Sequence, residues 1–403
     1  MLKALRTSAT LLLGLLAAGP AWAGGPYAVA GTASSTVGPL TRTETLVTNG
    51  PGPLDRFKAV RLARTGPAPF HGSLLLLPPL GPSFPFYEQR DANGALGSSI
   101  SEFFALRGYD VWSYGLRMDG IPSGTCEAGV VDCSPMEGWN FDLMVEDITF
   151  LRGLIEAARP GGGVVVGGTS LGAMLTIAVA NAHPADYDGA VVWEGSLLSD
   201  DSAVQTLNQG YCAAIEAQIA GGFTIDGVGT SVFREIARQA GIAPQGLTTI
   251  PLFPPFLTNH QLFVTLLSTP QPGPVSGPLP GYIQLAGDPV ADQLTFADDA
   301  RVIANVGFFV NYVPNIMVRD VSCALGGVDT HHTTNLGAFT APVLAIGGGR
   351  GFGPAIDDVL TRFGSTDVTL LIEPDFGHVD HFFTLEHRTF VERPILKFLR
   401  RAL

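Results

Sequence analysis

A serine hydroxyl attacks a carbonyl well only when a neighbouring base takes its proton and a carboxylate orients that base. The strongest candidate nucleophile is Ser170, in Gly167-Gly168-Thr169-Ser170-Leu171-Gly172-Ala173. The β-branched run Val164-Val165-Val166 precedes it, and the helix-compatible Ala173 to Ala180 follows. Strand, Gly-x-Ser-x-Gly and helix in that order form the context of a nucleophile elbow. The sharp turn forces the serine into a strained backbone conformation, so its neighbours two residues away must lack bulk. Ser170 Oγ would stand above the sheet at the positive end of the next helix, with the Leu171 N–H aimed at an oxyanion. The plainer reading is a glycine-rich strand-to-helix turn of any α/β protein. Of 8 histidines, His378 is the preferred base, in Pro374-Asp375-Phe376-Gly377-His378-Val379-Asp380. It follows the last expected strand, behind a glycine that allows close approach; His381, His331 and His332 are its rivals.

The elements that must position these groups alternate along the chain. Thr43–Thr48 and Phe57–Ala63 alternate as two antiparallel edge strands around a turn-rich stretch containing Asn49-Gly50-Pro51-Gly52. Gly72–Leu77 is nearly all apolar, the mark of a strand buried on both faces. Ser98–Leu106 suits a helix, Tyr109–Tyr114 a strand, and Asp142–Ala158 has helical apolar spacing ending at Pro160-Gly161. Gly189–Trp193, Ala341–Ile346 and Asp367–Ile372 complete the strands, and Phe382–Leu403 reads as a terminal helix. Strands alternating with helices imply an α/β fold with a mostly parallel central sheet flanked by helices.

Between residues 196 and 340 this rhythm breaks. Helical patches (Val204–Gln218, Ser231–Gln239, Ala297–Ile303) flank a Pro/Gly-rich stretch from Thr269 to Pro280. An insertion this long is read as a large, mainly helical cap inserted between core strands. Its run Ile250-Pro251-Leu252-Phe253-Pro254-Pro255-Phe256-Leu257 would line an apolar pocket or pack the cap's own core. The division is residues 1–23, 24–41, 42–195 with 341–403, and 196–340: signal peptide, flexible segment, core and cap.

Gly168-Thr169-Ser170-Leu171-Gly172, Gly108-Tyr109-Asp110-Val111-Trp112 with Arg117 beyond it, and Gly377-His378 together resemble the α/β-hydrolase superfamily, with a secreted, esterase- or lipase-like character. The resemblance covers residues 42–403. It implies an acid after the strand Val343–Ile346, but the turn there, Gly347-Gly348-Gly349-Arg350-Gly351-Phe352-Gly353-Pro354, has no carboxylate. Some members carry the acid one core strand earlier, a place held here by Glu194 in Val192-Trp193-Glu194-Gly195. A carboxylate ending an apolar strand is costly without a partner, which a catalytic histidine would supply. The alternative acids are Asp357 and Asp358, then Asp200, Asp201 and Asp380. The second oxyanion donor is expected after the first buried strand. Pro78 and Pro79 have no N–H, which leaves Leu80, with Gly81 behind it.

The 403 residues carry a net charge of -13, with 46% hydrophobic and 15% charged positions. Acidity excludes nucleic acid and anionic membrane surfaces as expected partners. Lys3 and Arg6, the apolar run Leu11–Ala18 and Ala21-Trp22-Ala23 form a signal peptide pattern with cleavage after Ala23, so a secreted or periplasmic chain is expected. No later stretch of the sequence is long and apolar enough for a transmembrane segment. Four cysteines in an exported chain imply two disulfides; of three connectivities, Cys126–Cys133 and Cys212–Cys323 are favoured. No cofactor and no metal site is expected. The activity expected is cleavage of a small-molecule or lipid-like carboxylic ester, lost below about pH 6 where an ordinary histidine is protonated. The alternatives are a peptidase, a hydrolase of a specialised or polymeric ester, and an inactive binding protein on the same fold.

Overall fold

The computed structural model describes residues 27–67, 69–81, 85–91, 93–251, 253, 257–270, 273, 277–306 and 309–403. The expected signal peptide lies outside the described residues, as do parts of the run 250–257 and of the Pro/Gly-rich stretch. Nine strands form one sheet: β1 (Ala28–Val37), β2 (Leu40–Thr48), β3 (Arg56–Arg64), β4 (Gly72–Leu77), β5 (Tyr109–Gly115), β6 (Val164–Thr169), β7 (Gly189–Trp193), β8 (Val343–Gly348) and β9 (Val368–Glu373). Their order is β1-β2-β3-β5-β4-β6-β7-β8-β9. The first three strands pair antiparallel, and every contact from β5 to β9 is parallel. β4, β6, β7 and β8 are buried along their whole lengths, as continuous apolar runs require in a sheet covered on both faces.

Helices α1 (Ile100–Ala105), α2 (Phe141–Ala158) and α3 (Leu171–Ala182) follow the core strands. Ser99 and Asn140 cap the first two, their side chains accepting from the Glu102 and Leu143 N–H groups. The stretch between β7 and β8 adds α4 (Ser202–Ala220), α5 (Val228–Ile242), α6 (Asn259–Ser268), α7 (Asp299–Val306) and α8 (Asn315–Leu325). α9 (Gly353–Leu360) and α10 (Arg393–Ala402) complete the chain. The Cys126–Cys133 and Cys212–Cys323 pairs are both bonded, the second tying α4 to α8. Among the described residues no helix is long and apolar enough to cross a membrane.

Two expectations are corrected. The segment expected to be flexible, 24–41, contains β1, which pairs with β2 from Ala28↔Thr48 to Val37↔Leu40. Its small residues hid the strand. Backbone pairing along β2, closed by a two-residue turn with Gly38 at φ 59°, needs no buried side chains. The expected terminal helix Phe382–Leu403 is interrupted. A single turn ends at Phe383 and Thr384 is extended (ψ 146°). Helix then resumes as a π-turn over Arg388–Glu392 that runs into α10, where Pro394, having no N–H, breaks the regular α-helical bonding.

Candidate active site

β6 ends at Thr169, and Ser170 turns the chain into α3 at φ 58° and ψ −122°, outside the regions an L-residue adopts freely. Its N–H donates to the Trp193 carbonyl at 3.0 Å, which fixes the strained residue against β7. The turn closes only because Gly168 and Gly172 carry no side chain. A Cβ on Gly172 would overlap the Leu77 carbonyl oxygen and stand 2.5 Å from its carbon. Buried Tyr87 braces the same corner: its hydroxyl donates to the Leu77 carbonyl at 2.7 Å and accepts from the Thr169 N–H at 3.0 Å.

Ser170 Oγ lies 2.8 Å from His378 Nε2, and His378 Nδ1 lies 3.0 Å from Glu194 Oε2. Glu194 is fully buried at the end of β7 with φ 54°, and its N–H donates to the Ile346 carbonyl. Its Oε1 accepts from the Gly348 N–H and its Oε2 from the Phe352 N–H at 3.1 Å. Burial pushes the Glu194 carboxyl above the ordinary range; the His378 ring and the two backbone donors pull the other way. The glycine-rich turn after β8, which lacks the expected acid, receives the carboxylate instead. A Cβ on Gly351 would overlap Glu194 Oε2 and stand 2.9 Å from the His378 backbone N.

Residues from the insertion set the histidine. The His378 and Val379 N–H groups donate to the Ile283 and Gln284 carbonyls, both at 2.8 Å. Tyr282 and Phe352 flank its ring at centroid distances of 5.3 and 5.4 Å. Asp380 Oδ2 accepts from the Gly377 N–H at 2.6 Å and the Ala286 N–H at 2.7 Å, bracing the loop from beneath. Leu80 and Leu171 border Ser170 in a small pocket of about 50 Å³ that Tyr282, Val318 and Phe352 also line. Leu171 is the first residue of α3, so its N–H has no acceptor within the helix. Leu80 and Val318 also wall a larger cavity of about 960 Å³, lined by Ile215, Phe223, Phe233, Leu267 and Phe309 among others.

The other candidates stand elsewhere. Asp357 is exposed on α9. Asp358 accepts from the Ser199 hydroxyl at 2.9 Å and the Asp200 N–H at 2.8 Å, so neither carboxylate is the one that meets His378. Asp200 pairs with Arg362 and Asp201 caps α4. His381 is fully buried with neither ring nitrogen hydrogen-bonded among the described residues; burial pushes its pKa down to about 3. His331 and His332 sit beside Asp142. Arg117 makes a buried ion pair with Asp147, which also accepts from the Tyr114 and Tyr27 hydroxyls, so it belongs to the scaffold. Gly81 accepts through its carbonyl from the Val310 N–H at 2.8 Å. Sequence reasoning missed Tyr87, Tyr282 and the Gly348 and Phe352 amides. Only the unusual density of glycine at 347–353 hinted at the last two.

No family model matches the sequence, and no curated protein does. The chain is similar in structure to a candidate lipase from Sulfolobus solfataricus, with TM-score 0.60 and 14% identity over 91% of this chain and 95% of that one. Weaker likenesses reach a carboxylesterase of Nitrososphaera gargenis (TM-score 0.49, 14% identity, 89% of this chain and 100% of that one). They also reach a soluble variant of monoglyceride lipase from Saccharomyces cerevisiae (TM-score 0.49, 14% identity, 94% and 99%).

Proposed function

The chain has the α/β-hydrolase fold, and from that premise we propose that it is a serine hydrolase cleaving carboxylic esters. The observation that carries the reading is the Ser170 Oγ–His378 Nε2–Glu194 relay, at 2.8 and 3.0 Å, with the serine held in a strained turn. His378 Nε2 takes the Ser170 proton as Oγ attacks the acyl carbon, then returns it to the departing alkoxide. The acyl-enzyme is hydrolysed by a water that His378 deprotonates in turn. Glu194 holds the Nδ1–H tautomer and stabilises the imidazolium. The N–H groups of Leu171 and Leu80 stabilise the oxyanion.

The apolar lining of the adjoining cavity supports a small-molecule or lipid-like acyl ester over a peptide. Residues 196–340 serve as the cap, since they supply Pro278, Tyr282, Met317, Val318 and Val321 to the serine pocket. The two bonded cysteine pairs support a secreted or periplasmic location, as the N-terminal pattern does.

Hydrolysis of a nitrophenyl ester series from acetyl to palmitoyl, by wild type and Ser170→Ala, tests this reading. Turnover should fall at least about 10³-fold in the variant, and organophosphonate labelling should require Ser170. A folded Ser170→Ala protein within tenfold of wild type would overturn the assignment.

A further inference from the structure

At the opposite end of α3 from the serine, three ligand-type side chains converge without serving the reaction. α3 carries Ser170 at its start and Asn181 near its end, about 17 Å along the axis at 1.5 Å per residue. Asn181 Nδ2 donates to the His331 carbonyl at 2.9 Å, and Asn181 Oδ1 accepts from the Asn335 N–H at 2.6 Å. These bonds lock the segment that returns from the insertion to the core. Locked there, His331 Nε2 stands 3.3 Å and His332 Nε2 3.9 Å from Asp142 Oδ1, in the first turn of α2. The three ligand atoms lie within 4.8 Å of one another.

We propose that Asp142, His331 and His332 form a site for a divalent transition metal, with zinc as the best-fitting ion. The atoms are spaced for it. Ligands about 2.0–2.2 Å from a tetrahedral zinc stand roughly 3.3–3.6 Å apart, so the 3.3 and 3.9 Å separations from Asp142 Oδ1 bracket that spacing, and rotation of the Asp142 and His331 side chains, both exposed, would close the set. His332 is 7% exposed, and its Nε2 has no hydrogen-bond partner among the described residues. A buried imidazole nitrogen aimed at a carboxylate from beyond hydrogen-bond distance is what an intervening cation would satisfy. The second ring nitrogen of His331 is also accounted for. Nδ1 lies 2.5 Å from Asp329 Oδ1, and Asp329 Oδ2 is held by Arg319 at 3.3 Å. A carboxylate on Nδ1–H fixes the tautomer that turns the Nε2 lone pair outward, the usual support of a metal-binding histidine. Two imidazoles with one carboxylate favour zinc or a neighbouring transition ion over calcium or magnesium.

Such an ion would staple the returning segment to the start of α2, with its remaining position open to water at the exposed rim. This revises the expectation of no metal and stands independently of the ester-hydrolase reading. Untagged protein, stripped with chelator and desalted, is titrated with ZnCl₂ by calorimetry and with CoCl₂ by visible absorption. We expect one zinc per chain and a cobalt d–d band. Asp142→Asn and His331→Ala should each weaken binding at least about tenfold, and Asp329→Asn by about 10–100-fold. The Asp142 and His331 side chains are 63% and 50% exposed, so those variants should keep the wild-type fold by circular dichroism. Absence of 1:1 binding, or binding unchanged in all three variants, would overturn the site.

Discussion

Replacing Glu194 by glutamine changes one atom's hydrogen-bonding role in a place where each oxygen is already committed. Oε1 accepts from the Gly348 N–H, and Oε2 accepts from the Phe352 N–H while facing His378 Nδ1. An amide has one oxygen and one NH₂, so one side must meet a donor with a donor. With NH₂ toward Gly348, the buried peptide N–H loses its acceptor and the site loses the negative charge that stabilises the imidazolium. With NH₂ toward Oε2's place, the Phe352 N–H is orphaned and His378 must accept at Nδ1. Nε2 then carries the hydrogen and cannot take the Ser170 proton. An orphaned buried donor costs about 1–3 kcal/mol of stability. A wrong tautomer in a serine–histidine–acid relay costs about 10⁴-fold in kcat, about 5.4 kcal/mol of barrier.

We therefore expect Glu194→Gln to lower kcat by about 10³–10⁴-fold. KM should stay within about threefold, since the carboxylate does not face the substrate pocket. Stopped-flow hydrolysis of the best nitrophenyl ester, with urea melts to confirm folding, measures both. Asp357→Asn and Asp358→Asn, run beside it, should leave kcat within about twofold, because neither meets His378. A folded Glu194→Gln enzyme with kcat within tenfold of wild type would refute the relay as drawn.

Three further outcomes follow from the same geometry. Gly172→Ala forces Leu77 and Pro78 away from the elbow, disturbing the loop that carries Leu80; kcat should drop by at least about 10². Urea melts of that variant should show about 1–3 kcal/mol lost. Asp380 is pushed up to about 7 by burial, above the ordinary carboxylate value of 3.8. The folded state therefore holds the proton more tightly than the unfolded state, and this contribution is full below pH 4 and lost as pH rises toward 7. Oδ2 accepts two N–H groups while Oδ1 has no partner among the described residues, so nothing offsets the burial of a negative charge on Oδ1. A neutral carboxyl or an amide avoids that charge while keeping an acceptor at Oδ2. Asp380→Asn should thus match wild type at or below about pH 4 and exceed it in stability by a growing margin up to about pH 7, as thermal melts from about pH 4 to about pH 8 would show. Finally, Cys212 and Cys323 are 111 residues apart and Cys126 and Cys133 only 7. Chain entropy assigns about 5 and about 2 kcal/mol to the two bonds, so the Cys212→Ser/Cys323→Ser protein should melt well below the Cys126→Ser/Cys133→Ser protein.

The elbow was legible in the sequence because its constraints are local. A Gly-x-Ser-x-Gly turn between a β-branched run and a helix needs little beyond its own seven residues. The position of Glu194 was legible for a different reason. A carboxylate ending the apolar strand Ala190–Trp193 must find a partner, and the absence of an acid after Ile346 left a vacancy that it could answer. β1 was not legible, because an exposed strand is held by backbone pairing and leaves little mark on side-chain pattern. Nor were α6 and α8, whose partners lie far off in sequence: Asp320 on α8, for one, accepts from the Phe141 N–H at the start of α2 at 2.9 Å.

The local elements and the candidate serine and histidine were readable from the sequence itself, through spacing, strand ends and glycine placement, while Glu194 stood there beside Asp357 and Asp358 as one of several possible acids. Only the tertiary structure decided which amides receive Glu194, which carbonyls hold the His378 loop, and which side chains wall the cavity. Gly348 is 154 residues from Glu194, and Ile283 is nearly a hundred from His378. Contacts at such separations follow from how the strands order themselves and where the insertion folds back. The same folding brings His331 and His332 to Asp142 across roughly 190 residues of chain, where neither spacing nor periodicity could have joined them.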